Sequence, residues 1–565
     1  MSLTRRTFLA RTAAAIAAQG ALRTGVVAQS LLARSRPAGS GNPLRIPKEI
    51  PGGNLAISTT SVQMLTGAET AILSINAEFP APTIRVKKGD TFSANIINNL
   101  TTDVVLHWHG QHVPSIMDGQ PSQPIHAGAS ATVTFPVVNR AGTYFYHAHT
   151  DMITAEQVYR GLAGLFIVDD DEEGALPLPR GEYDIPLAIS DRRIDSNNQL
   201  VYSPTDDDHR TGYVGETICV NGTPSPFLEV APTLYRFRIL NASNARIYQL
   251  AFDDNSTFRV TASDGGLLAS PIATQTCFLA PGERVEIVAD FSKLANGSAV
   301  KLKSLPFFHD GPQYAPLPQG AEFDIIRFDV TKTGDSKSSL PSTLSSITPY
   351  VATDAVEQFT WELGVDGMDH TINGKAYAMD RIDHVTPYNT LARWTFSNTF
   401  TTEFHPMHVH GTQFQIVSRT GGELMPSDQG WKDTVLVRPG EAVDVLVKFA
   451  DYWGTYLVHC HNLEHEDHGM MANFMVDNAG AVREDSKETG GIELSPNPAM
   501  SDVTISLPNE RESEWVELCD LRGRVIRSAR VSTGASQVVI AVADLANGDY
   551  IIRCGAHVAK LVVLR

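Results

Sequence analysis

Apolar and polar residues alternate along this chain in short runs. Residues 234–240, Leu-Tyr-Arg-Phe-Arg-Ile-Leu, form one such run, and residues 515–521 form another. A period of two places the apolar side chains on one face of a strand, so these runs predict half-buried β-strands. The sequence lacks a long amphipathic helical pattern, and its 43 glycines and 32 prolines divide it into short pieces. The pattern therefore predicts an all-β protein of many short strands.

Parts of the chain repeat one another. Residues 142–149, Gly-Thr-Tyr-Phe-Tyr-His-Ala-His, align with residues 454–461, Gly-Thr-Tyr-Leu-Val-His-Cys-His. Residues 91–110 and 394–411 share a second design, in which a strand and a polar turn lead to His-x-His-Gly. Two regions of one chain therefore carry equivalent halves of a site.

The middle third has the same strand rhythm without a histidine pair. Residues 281–288 parallel residues 439–446, and residues 234–241 parallel residues 394–398. This predicts a third related unit, whose default role is that of a spacer fixing the docking of the other two.

Composition narrows the class of protein. The 565 residues, 42% of them hydrophobic, suffice for three or four domains with their own cores. The net charge of −18 is spread along the chain, which argues against nucleic-acid binding and offers no basic patch to an anionic membrane. Apolar runs stay below 18 residues, so no transmembrane anchor is predicted.

The strongest chemical signal is a set of four His-x-His pairs. With 18 histidines in the chain, chance would give roughly 0.6 such pairs. The last pair encloses a cysteine, as His459-Cys460-His461. In a strand both imidazoles would face one way and the thiolate the other. A thiolate, a nearby imidazole and a distant thioether such as Met470 are the ligands of a blue-copper centre, and the two imidazoles can hold a different metal.

These motifs resemble those of the multicopper oxidases, the family of laccases, bilirubin oxidases and cuprous oxidases. Over about residues 45–478 the chain carries H-x-H-G, H-x-H, H-x-x-H-x-H and H-C-H-x-x-x-H-x-x-x-x-M in the family's order. The resemblance implies three cupredoxin-like Greek-key β-sandwich domains, at residues 45–178, 179–340 and 345–478, with no copper ligand in the second. It also implies copper as cofactor, about four ions per chain.

Carried over residue by residue, the resemblance implies a complete ligand set. The type 1 copper would be bound by His405, Cys460 and His465, with Met470 as a weak axial ligand. The type 2 copper would be bound by His107 and His408. The type 3 pair would be bound by His109, His147, His149, His410, His459 and His461.

Two acidic residues also match positions that deliver protons in related enzymes. Asp118 follows His107 by eleven positions, and Glu466 follows His465 directly. The alternative for each is a carboxylate that only orients a ligand histidine. Glu464 and Asp467 are expected to be structural or solvated, and His468 is expected to be the only additional histidine near the type 1 site.

The resemblance implies an enzyme that couples one-electron oxidation of a donor to four-electron reduction of dioxygen to water. Phenols or aromatic amines are the expected donors. A cuprous or other metal-ion oxidase in copper tolerance is the alternative. A copper-free structural cell-division factor of the same fold is a further alternative, which retention of all the ligands disfavours.

The two ends of the chain are predicted to serve export. Residues 1–28, with Arg5-Arg6 before an apolar stretch, resemble a twin-arginine signal peptide. Residues 29–44 are a predicted disordered lead, and residues 479–490 a linker. Residues 491–565 resemble the sorting domain of type IX secretion substrates, the alternative being a small accessory β-sandwich. The expected route passes through the periplasm to the cell surface or the medium.

Four cysteines remain when Cys460 is assigned to copper. Cys219 and Cys277 lie in the middle third, and Cys519 and Cys554 lie in the C-terminal unit. Disulfides within each pair and buried free thiols are equally compatible with the sequence.

Overall fold

The computed structural model describes most of the chain. The described residues are 41–309, 315–398, 403–478, 492–497, 499–507, 515–519, 525–531, 535–546, 548–554 and 557–563. The predicted signal peptide and linker lie outside them, as does the predicted lead up to residue 40. Asn42–Pro43 forms a short strand, so the disorder predicted for residues 29–44 does not extend to these two residues.

The first third of the described chain forms two β-sheets that pack face to face. After the short strand β1 (Asn42–Pro43), which belongs to neither sheet, its strands are β2 (Glu49–Ile50), β3 (Gly53–Val62), β4 (Thr70–Ile75), β5 (Thr83–Lys87), β6 (Thr91–Asn98), β7 (Leu106–His107), β8 (Ser130–Pro136), β9 (Gly142–Ala148) and β10 (Ala163–Asp169). One sheet has the order β2-β5-β10-β9-β7 and the other β4-β3-β6-β8. In β6, Phe92, Ala94 and Ile96 alternate with more exposed residues and enter the core between the sheets.

The middle third is a second sandwich with its own core. Its strands are β11 (Asp184–Arg192), β12 (Thr217–Val220), β13 (Thr223–Pro224), β14 (Pro226–Val230), β15 (Leu234–Asn241), β16 (Tyr248–Phe252), β17 (Phe258–Ser263), β18 (Gly266–Thr274), β19 (Cys277–Leu279), β20 (Arg284–Asp290), β21 (Ala299–Ser304) and β22 (Phe323–Val330). One sheet has the order β13-β12-β11-β15-β20-β17-β18, and the other contains β14-β22-β21-β16-β19.

The next part repeats the design of the first. Its strands are β23 (Glu357–Asp366), β24 (Asp369–Ile372), β25 (Ile382–Pro387), β26 (Leu391–Ser397), β27 (His405–Val409), β28 (Phe414–Arg419), β29 (Thr434–Val437), β30 (Ala442–Lys448), β31 (Gly454–Cys460) and β32 (Met471–Asp477). The sheets have the orders β24-β23-β26-β30-β28 and β25-β32-β31-β27-β29. The sandwich folds are as predicted, while the exact domain boundaries remain predictions.

The C-terminal part has a separate core and separate sheets. Its strands are β33 (Glu493–Ser495), β34 (Asp502–Ser506), β35 (Trp515–Cys519), β36 (Val525–Arg530), β37 (Gln537–Ala541), β38 (Gly548–Cys554) and β39 (His557–Val563). They are ordered β33-β34-β37 and β36-β35-β38-β39. The core between them is drawn from residues 499–563, so this unit buries its apolar faces against itself.

The helices are short and lie in the connections. They are α1 (Thr154–Tyr159), α2 (Asp171–Gly174), α3 (Asp206–Thr211) and α4 (Leu463–Asp467), with 3-10 turns at Ser115–Met117, Gly181–Tyr183, Ala352–Asp354 and Pro426–Asp428. Within the described residues, none has the length and apolar character needed to cross a membrane.

A buried ionic network of the second sandwich contacts the first sandwich through a hydrogen bond. Arg238 of β15 donates to Asp184 over 2.9 Å and to Glu286 over 2.9 Å. Thr143 of β9 donates to the same Glu286 carboxylate over 2.7 Å. These groups are almost fully buried, so removing one partner would leave an uncompensated charge. The second sandwich is thereby fixed against the strand that carries His147.

Cys219 and Cys277 do not form the disulfide that the sequence left open. Each is a buried thiol, and they belong to different hydrophobic clusters. Burial raises the pKa of both thiols to about 12, which keeps them protonated and unreactive. Cys519 and Cys554 are buried in the C-terminal unit.

Candidate metal centre

The four His-x-His pairs lie at equivalent places in the first and third sandwiches. β7 pairs with β9 so that His107 lies opposite His147. β27 pairs with β31 so that His408 lies opposite His459. The internal repeat seen in the sequence is therefore a structural repeat, and each sandwich offers two adjacent histidine pairs from one sheet.

Strand alternation points these histidines out of their own domains. The middle residue of each pair is fully buried in the core of its own sandwich: Trp108, Ala148, Val409 and Cys460. Successive side chains leave opposite faces of a strand. The flanking imidazoles therefore face the neighbouring sandwich, and docking the two sandwiches closes eight histidines into one buried cluster.

Hydrogen bonds to carbonyl oxygens decide which nitrogen of each imidazole is protonated and which is bare, meaning unprotonated with a free lone pair. Because a carbonyl only accepts, His107 Nδ1–H donates to the Asp118 carbonyl over 2.8 Å. In the same way His408 Nδ1–H donates to the Asp433 carbonyl over 2.8 Å. The opposite Nε2 atoms of both rings then carry lone pairs, and they face each other across 3.4 Å. Two lone pairs cannot hydrogen-bond, so the arrangement fits a cation between them.

A second group repeats this arrangement. His410 Nδ1–H donates to the Asp118 carboxylate over 2.7 Å, and His459 Nδ1–H donates to the Cys460 carbonyl over 3.1 Å. Their bare Nε2 atoms are 3.0 Å apart, and His149 Nε2 is 3.4 Å from that of His459. Three ring nitrogens converge on one point.

The third group is formed by His109, His147 and His461. His109 Nε2–H donates to the Asp433 carboxylate over 3.0 Å, and His147 Nδ1–H donates to the Ala148 carbonyl over 2.8 Å. The remaining nitrogens, His109 Nδ1, His147 Nε2 and both of His461, are buried without a hydrogen-bond partner among the residues described. Orphaned buried nitrogens of this kind are expected of metal ligands.

A fourth site contains the cysteine. Cys460 Sγ lies 3.6 Å from His405 Nδ1 and 3.7 Å from His465 Nδ1. His465 Nε2–H donates to the Arg210 carbonyl over 2.9 Å, which leaves Nδ1 bare. Met470 is fully buried in the same hydrophobic cluster as Cys460. Two imidazoles, a thiolate and a nearby thioether are soft and borderline donors that suit copper.

Burial keeps the histidines in the state that binds metal. In each of the four groups the candidate ligand atoms lie within 4.8 Å of one another. Burial lowers the pKa of His147 and of His405 to about 3 and that of His465 well below its usual range. Neutral imidazoles present a lone pair at physiological pH. The donor set and its burial therefore fit bound metal ions.

Asp118 and Glu466 occupy matching positions on the cluster. Asp118 accepts from His410, and Glu466 lies 3.1 Å from His459 Nδ1 and 3.5 Å from His149 Nδ1. Both carboxylates are fully buried, and burial raises the pKa of Asp118 to about 8. Each sandwich thus supplies one carboxylate that contacts histidines of the other.

Glu464 is structural, which is one of the two alternatives expected for it: it is 1% exposed and accepts hydrogen bonds from Asn244 and from the Tyr213 amide, both in the second sandwich. The expectation for His468 needs correction. His468 is not the only further histidine near the cysteine site. His370 stacks on His465 with ring centroids 3.9 Å apart, a contact that no spacing in the sequence signals.

Comparison with known proteins agrees with this geometry. A model of the multicopper oxidase family matches residues 56–173, and a second multicopper oxidase model matches residues 345–480. The bilirubin oxidase of Albifimbria verrucaria is 35% identical over 416 residues, covering 70% of this chain and 71% of that protein. The chain belongs to the multicopper oxidase family. Membership implies a copper-dependent oxidoreductase, and the two matched segments contain every predicted ligand.

Other relatives of this multicopper oxidase family member differ in their described roles. The crystal structure of the multicopper oxidase McoA from Aquifex aeolicus has a TM-score of 0.72 at 36% identity, covering 78% of this chain and 100% of that one. Cell division protein FtsP of Sodalis glossinidius is 32% identical over 493 residues, covering 84% of this chain and 99% of that protein.

The C-terminal part of the chain matches a different family. A model of a secretion system C-terminal sorting domain matches residues 493–563.

The loop that carries Asp118 depends on Gly119. Its φ is +78°, and a Cβ there would lie 1.9 Å from the Leu106 carbonyl oxygen and 2.8 Å from His107 Cα.

Gly128 has a similar φ of +74° but open space around it. We expect Gly128→Ala to cost about 1–2 kcal/mol through backbone strain alone. Gly119→Ala should cost a further ~1–3 kcal/mol through overlap. Thermal unfolding of both variants measures this difference in stability. Equal losses of stability would show that the loop around Gly119 shifts to accommodate the methyl group.

Proposed function

We propose that this protein is an oxidase that couples one-electron oxidation of a phenolic or aromatic-amine donor to the four-electron reduction of dioxygen to water. The convergence of bare, buried ring nitrogens on three histidine groups, next to a separate site with a thiolate, carries the proposal. A site that only stored metal would not need two chemically different centres joined by one tripeptide.

The groups support an assignment of each ligand. We assign His405, Cys460 and His465, with Met470 axial, to a type 1 copper, and His107 with His408 to a type 2 copper. The type 3 pair would be held by two trios: His109, His147 and His461 form one, and His149, His410 and His459 form the other. Copper so bound would supply one-electron redox chemistry at the cysteine and oxygen reduction at the histidines.

The chain itself joins the two centres. Cys460 lies between His459 and His461 in sequence, and consecutive Cα atoms are about 3.8 Å apart across a trans peptide. The thiolate of one centre and an imidazole of each histidine trio are therefore connected through covalent bonds alone. This continuity supports the transfer of single electrons between a donor site and an oxygen site.

Asp118 and Glu466 are placed to hold protons for water formation. Each is fully buried and lies against histidines of two different sandwiches. Bulk water has little access to such a cluster, so the four protons consumed per oxygen molecule need carriers within the protein. The alternative role, orientation of the ligand rings, uses the same contacts and is separated from proton delivery by the variants below.

The cysteine site lies close to a surface that a donor can reach. His465 Nε2–H donates to the carbonyl of Arg210, and Arg210 is an exposed residue of α3. A donor docked on α3 would be separated from a type 1 ligand by one peptide group. This supports oxidation of molecules that remain at the surface.

A metal-ion donor such as Cu(I) is the second candidate. Met379 is 44% exposed, and its carbonyl accepts from Asn473 in β32, close to the segment that carries the type 1 ligands. Met368 is 49% exposed and precedes Asp369. Thioether side chains are soft ligands that suit a cuprous ion. Oxygen uptake with a phenol and with Cu(I) as alternative donors would rank the two candidates.

A copper-free structural role in cell division, the process named for the relative FtsP, has less support in this structure. Such a role does not require buried histidines with bare nitrogens, and every predicted ligand is present. A chain that binds no copper after loading would reverse this judgement.

For localisation we propose export to the cell surface. The match of residues 493–563 to a secretion sorting domain indicates export. Because this unit has a separate core, export machinery could recognise it independently of the oxidase domains. The twin-arginine signal proposed at residues 1–28 would direct the first step.

The Cys460→Ser variant tests the oxidase proposal. Serine cannot supply the soft thiolate, so the variant should lose blue absorption and donor oxidation, and its copper should fall from about four to about three ions per chain. The control is Cys277→Ser, which changes a buried thiol of the second sandwich and should keep both colour and copper. Visible spectra and metal analysis decide the result, and blue absorption that survives in Cys460→Ser would contradict the assignment.

Asp118→Asn and Glu466→Gln test proton delivery. Each amide keeps the shape of the side chain but cannot carry a proton, so oxygen uptake should slow by about 100-fold or more. Reduction of the type 1 site by donor without oxygen should stay at the parent rate, which serves as an internal control. Turnover within about twofold of the parent, across the pH range, would count against a proton-delivery role.

Deletion of residues 491–565 tests the proposed sorting role. The remaining chain should fold and bind copper like the full-length protein, because the deleted unit packs on its own core. Cell fractionation should find the truncated protein away from the surface that the full-length protein reaches. Loss of copper binding, or normal surface location, would make the unit an accessory domain.

A further inference from the structure

A buried ionic group lies directly behind the histidine cluster. It consists of Asp264, Glu283 and Arg284 from the second sandwich and Lys432 and Asp433 from the third, all fully buried. Lys432 Nζ lies 3.0 Å from Asp264 and 2.9 Å from Glu283. Arg284 donates to Asp433 through both of its terminal nitrogens, over 2.7 and 2.5 Å. The sandwich without ligands therefore reaches the cluster through charged side chains.

Asp433 sets the orientation of two cluster histidines. Its carboxylate accepts from His109 Nε2–H over 3.0 Å, and its carbonyl accepts from His408 Nδ1–H over 2.8 Å. Thr434 Oγ1 also donates to the carboxylate, over 3.0 Å. Because the carboxylate only accepts, the proton of neutral His109 must sit on Nε2. The lone pair is then on Nδ1, the nitrogen that faces the cluster.

Arg284 in turn fixes the Asp433 carboxylate. Its guanidinium makes a two-pronged contact, the geometry that restrains a carboxylate in both position and plane. Arg284 Nε also donates to the Thr143 carbonyl over 3.0 Å, so the same side chain spans all three sandwiches. Gly110, with φ +81°, leaves the space: a Cβ there would lie 2.5 Å from Asp433 Oδ2 and 2.8 Å from Arg284 Nη2.

These contacts explain why a glycine ends the His-x-His-Gly motif at residue 110. It follows His109 directly, and any larger residue would push the Arg284–Asp433 pair away from the ring that the pair holds. The motif and the ionic pair lie 174 or more positions apart in sequence and meet only in the folded chain.

A purely structural explanation would treat the group as another buried ion network. The Arg238–Asp184–Glu286 network of the second sandwich, which Thr143 of the first sandwich contacts, is an example, and the contacts described for it include no cluster histidine. Buried ion pairs contribute little net stability compared with apolar residues. The contacts of Asp433 to two cluster rings therefore distinguish it from a network that only joins domains.

We propose that Arg284 and Asp433 are a positioning pair for the metal cluster, through which the second sandwich fixes the tautomer and ring plane of His109. The inference rests on the proposed function, since it concerns how His109 presents a nitrogen to copper. Partners that orient a ligand histidine typically change metal affinity about 10–100-fold when they are removed.

The Asp433→Asn variant separates this role from structure. In the parent, Oδ1 of Asp433 accepts from His109 Nε2–H and from Arg284 Nη1, while Oδ2 accepts from Arg284 Nη2. An asparagine keeps only one accepting oxygen, so its amide nitrogen must replace one of these two oxygens and face a donor. If the amide nitrogen faces His109, the ring proton must move to Nδ1 and the lone pair leaves the cluster. Asp184→Asn is the matched control, because it removes a buried carboxylate that is also paired with an arginine.

The experiment measures the copper retained per chain after dialysis against a fixed chelator concentration, together with the melting temperatures of copper-free and copper-loaded protein. Both variants should melt below the parent when copper-free. Only Asp433→Asn should lose about one ion per chain and bind copper about 10–100-fold more weakly, with a smaller rise in melting temperature on loading. Equal copper retention in the two variants would overturn the inference.

Arg284→Lys provides a second variant in case Asp433→Asn does not fold. Lysine keeps the charge but loses the two-pronged contact, so copper retention should fall while the charge of the buried group is unchanged. Retention equal to that of the parent would count against Arg284 as a positioning residue. Failure of the parent itself to bind copper would instead refute the proposed function, and the two failures are therefore distinguishable.

Discussion

The alternation of side chains at the ends of four strands is the constraint on which the rest of this structure depends. In each His-x-His pair the middle residue is buried in the core of its own sandwich, and the two imidazoles are therefore directed outward. Cys460 is the one middle residue with a metal-binding side chain. The cysteine site consequently lies inside the third sandwich, while the histidine cluster lies between the first and the third.

Placing eight histidines in one dry interface has energetic consequences. Each ring must be neutral, because a buried charge is costly, and a buried N–H without an acceptor is costly too. Main-chain carbonyls such as those of Asp118, Ala148 and Asp433 accept from several of the rings, whereas His461 has no partner at either nitrogen among the described residues. Using up one nitrogen of a ring in this way leaves the other bare, so the same hydrogen bonds that permit burial also prepare the site for metal.

The short helix α4 shows how one segment links the sandwiches. Leu463 packs into the core of the first, and Glu464 accepts hydrogen bonds from the second. His465 turns back to Cys460, and Glu466 points to the histidine cluster. Asp467 caps the N-terminus of α1 by accepting from the amides of residues 154 and 155. A helix of this length has little stability of its own, so tertiary contacts hold these side chains in place.

The sequence by itself determined the strand-rich fold, the internal repeat and the identity of the histidine pairs, because alternation and motif spacing are local properties of the chain. The relation of Asp118 and Glu466 to the cluster was also visible, as short offsets from ligand motifs. Only the tertiary structure revealed His370 against His465, Glu464 against the second sandwich, and Arg284 with Asp433 behind His109. These contacts join residues far apart in sequence through side chains that no local pattern distinguishes from ordinary core or surface residues. Their partners are selected by the docking of three sandwiches, which is a property of complementary surfaces and buried charges rather than of any one segment.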